Sequence, residues 1–248
     1  MYKLLKSLIT LLLLTSFTLA QAKVYLVSVG IADYPGSRND LRLPAKDART
    51  IAWIYSRNAK VESRLLQNEE ATQENIVSAM QETYAKAEEN DIVVFFFSGH
   101  GYPGGFVAYD GQISYTRVRQ AMAPAKCRNK MIFADACFSG KLRSDSRNSQ
   151  SAVQSAQKAS VMMFLSSRSD ETSIESPGMQ NGFFTTYLYK GLRGGADANR
   201  DRVITAKELY EYVHKGVIQL SKGKQHPVMW GRFSDDMPVM KWPEKKKQ

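Results

Sequence analysis

Two residue types in this chain can do nucleophilic chemistry together. Cys137 sits in Asp135-Ala136-Cys137-Phe138-Ser139-Gly140, and His100 in Ser98-Gly99-His100-Gly101. A thiolate is a strong nucleophile, and a neighbouring imidazole lowers the thiol's pKa or accepts its proton. Glycines beside His100 let a substrate backbone approach closely. The backbone N–H groups of Gly101 and Cys137 could point at the oxyanion that forms when a carbonyl is attacked. A lone Cys and a lone His more often read as a packing residue and a turn residue. Here both follow matched apolar runs and both lie in glycine-rich breaks.

Those runs are the elements that must position them. Ile92-Val-Val-Phe-Phe-Phe97 and Met131-Ile-Phe-Ala134 are β-branched and aromatic, the pattern of buried strands. Neighbouring parallel strands end on one edge of a sheet, and chemistry in open α/β sheets collects at the carboxyl ends. Two such strands would bring His100 and Cys137 together across 37 positions (137 − 100).

Ser-Gly-His100-Gly and Asp135-Ala-Cys137-Phe-Ser-Gly resemble the two catalytic motifs of caspase-like cysteine peptidases, closer to the metacaspase and bacterial branch than to animal caspases. The resemblance runs from about Val24 to about Trp230. It implies a caspase-like α/β sandwich with a mainly parallel central sheet and helices on both faces. It also implies Cys137 as nucleophile, His100 as general base, and an oxyanion hole from Gly101 and Cys137. The activity implied is endopeptidase, with protein or peptide substrates.

The remaining elements read as alternating strands and helices. Val24–Gly30 is an apolar strand, and Ala45–Arg57 has helical spacing. Val61–Leu66 is a short strand, and Thr72 caps a helix over Gln73–Glu88. This β-α-β-α-β order predicts a parallel sheet covered on both sides. Beyond His100, a hairpin turns at Asp110-Gly111, and a helix covers Tyr115–Met122. After Cys137 come a strand over Val161–Leu165, helices over Phe183–Leu192 and Thr205–Leu220, and a last strand within Pro227–Phe233. Residues 141–159 are Ser-, Gln- and Arg-rich without apolar period and read as a flexible linker.

The chain has 248 residues, 43% hydrophobic and 23% charged, which suits a single α/β domain. Lys3 and Lys6, an apolar run from Leu8 to Leu19 and Ala20-Gln21-Ala22 form a secretory signal peptide over residues 1–22. The peptidase domain then spans 23–240 and a basic tail 241–248. Export to a periplasm or the extracellular space follows, with no membrane span after signal removal. The net charge of +10 comes from scattered Lys and Arg, and no nucleic-acid motif accompanies them. Two cysteines are too few for a disulfide framework, and Cys127 reads as a packing residue. No motif specifies an oligomeric state.

Substrate choice rests on Asp135, two residues before the nucleophile. The resemblance implies that this position lines the pocket for the substrate side chain, where animal caspases usually carry Gln, so an acidic residue there implies a cationic side chain before the scissile bond. The metacaspase resemblance implies a second pocket carboxylate, and Asp47 stands where that family carries it. Two carboxylates would hold a guanidinium or ammonium group. The plainer reading of both residues is local hydrogen bonding. Cleavage after Arg or Lys makes Lys141, Arg143, Arg147 and Lys158 in the linker candidate self-processing sites; the plainer reading is a solvated loop. Two further readings are a non-catalytic scaffold that keeps the fold and a peptidase of the same clan with another preference.

No cofactor is needed for the chemistry itself. Asp197-Ala-Asn199-Arg-Asp201-Arg202-Val-Ile204-Thr205-Ala-Lys-Glu208 follows an EF-hand calcium loop at positions one, three, five, eight and twelve. It departs at position six, where Arg202 replaces the usual Gly. Thr205 and Glu208 also spell a capping box for the helix that follows. His214 and His226 have no partners at zinc-ligand spacing.

Overall fold

The computed structural model describes residues 22–58, 60–138, 160–166 and 178–243. The signal peptide, the 141–159 linker and most of the basic tail expected from the sequence lie outside these residues.

Strand β1 (Val24–Gly30) is buried along its whole length. It pairs in parallel with β2 (Val61–Gln67) on one side and with β3 (Ile92–Tyr102) on the other. Strand β3 pairs in parallel with β6 (Asn129–Phe138), and β6 with β7 (Met162–Leu165). The edge strand β9 (Val228–Trp230) joins β7 antiparallel. A hairpin of β4 (Gly105–Ala108) and β5 (Gly111–Ser114) extends from the end of β3. The sheet order is β2-β1-β3-β6-β7-β9, mainly parallel as expected.

Strand alternation sorts the apolar run of β3 between two cores. Phe95 and Phe97 face the side covered by α2 (Gln73–Tyr84) and α3 (Tyr115–Ala121). Phe96 faces the side covered by α1 (Pro44–Asn58), α4 (Phe183–Lys190) and α5 (Ala206–Leu220). All three rings are fully buried, each worth about 1.5–3 kcal/mol against exposure. A strand buried on both faces has no polar alternation to show, which is why these runs are continuous. Among the described residues no helix is long and apolar enough to cross a membrane.

The structure differs from the sequence expectation in several places. Helix α2 ends at Tyr84, not Glu88. Asp91 accepts the Glu88 and Lys23 backbone N–H groups and closes a turn there. Strands β3 and β6 do not break at His100 and Cys137 but continue to Tyr102 and Phe138. Helix α4 stops at Lys190 and gives way to a wider π-type turn over Gly191–Gly195. A small antiparallel pair, β8 (Val203–Thr205) with β10 (Pro238–Lys241), was not foreseen. Its strands are too short to show a period.

Candidate active site

The register of β3 against β6 places the two motifs side by side. His100 is paired with Cys137, Gly101 with Phe138 and Ser98 with Asp135. Adjacent strands lie about 4.8 Å apart, so two backbones distant in sequence meet at strand spacing. Gly101 is also paired with Phe106 of β4, which sets its position from both sides.

The His100 ring is held by the loop after β1. Nε2 lies 2.7 Å from the Asn39 carbonyl oxygen. A carbonyl only accepts, so Nε2 carries the hydrogen, and in the neutral ring Nδ1 keeps the lone pair. Tyr34 packs against the imidazole with ring centroids 4.8 Å apart. Its hydroxyl accepts the His100 backbone N–H at 3.0 Å and donates to the Val107 carbonyl at 3.0 Å. Gly99 has φ +155, and a Cβ there would stand 2.6 Å from the Tyr34 hydroxyl. Only glycine lets Tyr34 reach the strand at this point. No spacing rule links Tyr34 or Asn39 to a histidine more than 60 positions away.

Asp47 and Asp135 come together on the α1–α4 side of the sheet, Asp47 1% exposed and Asp135 7%. Both are engaged by protein donors. Asp47 Oδ1 accepts Asn181 Nδ2 at 2.8 Å and the Gly182 N–H at 3.1 Å, and Oδ2 accepts the Ser98 hydroxyl at 2.9 Å. Asp135 Oδ2 accepts the Thr185 N–H at 3.0 Å and its hydroxyl at 2.8 Å. Helix α4 has no side-chain cap of its own, because its N-cap residue is Gly182. The two carboxylates supply that end with acceptors from elsewhere in the chain, where the helix dipole favours negative charge. A Cβ at Gly182 would collide with Asp135 Oδ2. Burial, and then the nearby Asp135 charge, push the Asp47 carboxyl up to about 8; the hydrogen bonds from Asn181, Ser98 and Gly182 oppose this.

Ser98, Asn181, Gly182 and Thr185 were not singled out from sequence. Asn181-Gly182 ahead of an apolar helical stretch is a cap-like signal, but its partner carboxylates lie 50 or more positions away.

The Asp197–Glu208 loop forms the capping box in full. Thr205 Oγ1 accepts the Glu208 N–H, and Glu208 Oε2 accepts the Thr205 N–H at 3.0 Å. Asp197 Oδ2 accepts the Arg202 N–H, Asn199 Oδ1 that of Asp201 and Asp201 Oδ1 that of Val203. Arg202 takes φ +71 at the position where the calcium-loop pattern has Gly. Among the described residues, no group of three or more His, Cys, Asp or Glu is placed to hold a metal ion. Cys127 is a free thiol, and burial pushes its pKa up, which keeps it neutral and unreactive.

The family model of the caspase domain, peptidase C14, matches residues 24–237. No curated protein matches the chain at a significant level. Among solved structures, protein GSU0716 from Geobacter sulfurreducens superposes with a TM-score of 0.65 at 15% identity, over 90% of this chain and 100% of that one. Caspase-1 from Spodoptera frugiperda superposes with a TM-score of 0.60 at 14% identity, over 85% of this chain and 87% of that one. At these identities the structures speak for the fold.

Proposed function

The chain belongs to the caspase-domain family of peptidases, and on that premise we propose that it is an exported cysteine endopeptidase cleaving after Arg or Lys. The observation that carries the reading is the β3–β6 register, which pairs His100 with Cys137 while Asn39 holds His100 Nε2. Nδ1 is then the base. It takes the Cys137 thiol proton as sulfur attacks the scissile carbonyl. The Gly101 and Cys137 N–H groups receive the oxyanion. The protonated imidazole gives its proton to the leaving amine. Water, deprotonated by His100, then releases the acyl group and restores the thiol.

Selectivity in this reading comes from Asp47 and Asp135. With no cation present, burial keeps the Asp47 carboxyl largely protonated at neutral pH, so the pair carries less than its full charge. A guanidinium or ammonium group entering beside them favours the ionised form and makes charge-assisted hydrogen bonds. A substrate Asp would add a third carboxylate and be rejected. Residues 1–22 direct export, and self-processing falls in the 141–159 linker, with Lys141, Arg143, Arg147 and Lys158 as candidate sites.

Matched fluorogenic peptides ending in Arg, Lys or Asp test this on the chain from Lys23, with Cys137→Ala as control. Cleavage of the Arg and Lys peptides that disappears in Cys137→Ala supports it. Cleavage of the Asp peptide alone, or activity that survives Cys137→Ala, overturns it.

A further inference from the structure

Helices α1 and α4 present an outer face that the peptidase reading does not use. A cavity of about 490 Å³ opens there, lined by Lys46, Arg49, Thr50, Trp53, Asn181 and Tyr189. Its charge is one-sided. Residues 44–58 contain one acidic residue, Asp47, buried and bonded to Ser98, and residues 178–196 contain none. Arg49, Arg57, Lys190 and Arg193 are exposed on these helices and the turn that follows α4. Among the described residues, neither these four nor Lys46 joins an ion pair.

The centre of the face is aromatic. Trp53 is 50% exposed, a large apolar ring left in water. It lies 6.2 Å from the Tyr189 ring, with the Arg57 guanidinium 5.8 Å from its centroid. Arg193 reaches the Tyr189 hydroxyl. Cations without counter-charges around a half-exposed indole fit a ligand that brings several carboxylates and some apolar surface. The cavity also shares a residue with the acidic pair, because Asn181 Nδ2 bonds both Asp47 Oδ1 and Thr50 Oγ1.

We propose that this α1–α4 face is an exosite for an acidic stretch of the protein substrate. The proposal rests on the peptidase reading and adds a second recognition element to it. A helix rises 1.5 Å per residue, which places Trp53 about 9 Å and Arg57 about 15 Å along α1 from Asp47. An extended peptide advances about 3.3 Å per residue. A peptide that leaves the site along α1 would carry acidic side chains roughly three to five residues on over Trp53 and Arg57. The preferred substrate pattern is a basic residue at the cut and carboxylates a short distance away.

Two measurements test it, and the first needs no catalysis. A fluorescent hexaglutamate peptide is titrated against the Cys137→Ala chain, beside a hexaglutamine peptide and a ten-residue oligothymidylate. Exposed ion pairs contribute roughly 0.2–1 kcal/mol each, so two or three should favour the glutamate peptide by about tenfold. That preference should vanish in Arg49→Glu/Arg57→Glu and shrink in 0.5 M salt, which screens exposed charges. Equal binding by the double variant overturns the proposal. Tighter binding of oligothymidylate through the same two arginines also overturns it and assigns the face to nucleic acid.

The second measurement compares two Arg-ended substrates, one with glutamates three to five residues from the cut. The acidic substrate should have a KM about five- to tenfold lower at similar kcat, and the double variant should erase that ratio. Equal KM values alongside positive peptide binding overturn the exosite role. A chain that cleaves nothing yet binds hexaglutamate through Arg49 and Arg57 refutes the peptidase reading and leaves the acidic-peptide site standing.

Discussion

Asp47→Asn separates the charge of the buried pair from its shape. The asparagine is isosteric with the protonated carboxyl. Its oxygen can still accept from Asn181 and the Gly182 N–H, and its amide can donate to Ser98. The wild-type carboxyl has its pKa raised from 3.8 to about 8, chiefly by burial. In the unfolded chain it ionises near 3.8, so between about pH 4 and pH 8 the folded state holds a proton that the unfolded state has lost. Stability therefore falls as pH rises through that window, by up to about 1.4 kcal/mol per pH unit, and levels off above it. Asp47→Asn should remove this slope. Urea denaturation in a Cys137→Ala background at pH 5, 7 and 8.5 reads it directly. The variant should exceed its parent by a small margin at pH 5 and by progressively more at pH 7 and 8.5. A variant that keeps the full slope, or is less stable at pH 8.5, would show that the three hydrogen bonds outweigh burial and that Asp47 folds as a carboxylate. In the active chain the same substitution removes one negative charge from the pocket. A charge-assisted hydrogen bond is worth about 1.5–3 kcal/mol, so kcat/KM for Arg peptides should fall roughly 10- to 150-fold.

Gly182→Ala should force Asp135 off the start of α4, lowering stability by about 1–3 kcal/mol in thermal or urea unfolding and weakening selection for basic peptides. Tyr34→Phe leaves the His100 N–H without its acceptor and the Val107 carbonyl without its donor; about 1–3 kcal/mol of stability should go with them, and kcat should fall more than KM rises. Thr205→Ala breaks the capping box of α5 and should cost about 1 kcal/mol, equally with and without calcium. A melting temperature that rises with Ca²⁺ in the wild type but not in Asp197→Asn would instead favour the metal reading of that loop.

The scaffold was legible because its signals are local. The apolar runs of β1, β3 and β6 and the caps at Thr72 and Thr205 each fall within a few residues, and each appears where expected. The pairing of His100 with Cys137 was legible too, since two strands ending alike can be aligned by eye. What holds the pair was not. Tyr34 and Asn39 act on His100 across more than 60 positions through a hydroxyl and a backbone carbonyl, and neither group leaves a pattern in a sequence. The carboxylates were visible as residues, but their setting against the bare N-terminus of α4 depends on how α1 and α4 dock. The end of α2 was missed because a local turn closed by Asp91 on the Glu88 N–H takes the place of its last helical turn, and the β8–β10 pair because a ladder between distant strands, not periodicity, defines it.

The holders of the acidic pair have a consequence for the order in which the protein becomes competent. Strand β6 ends at Phe138, so β1 to β6, with both Asp47 and Asp135, belong to the first part of the chain. Asn181, Gly182 and Thr185 belong to the last part. The His100–Cys137 strand pair uses only residues that precede Asn181 by more than 40 positions (181 − 137 = 44). Asp47 meets the Ser98 hydroxyl within the first part, but its bonds from Asn181 and Gly182, and those of Asp135 from Thr185, form only when α4 docks. If the acidic pair selects the substrate as proposed, that selection is completed later than the His100–Cys137 pairing, and any event that loosens the second part from the first would relax it before dismantling the strands beneath.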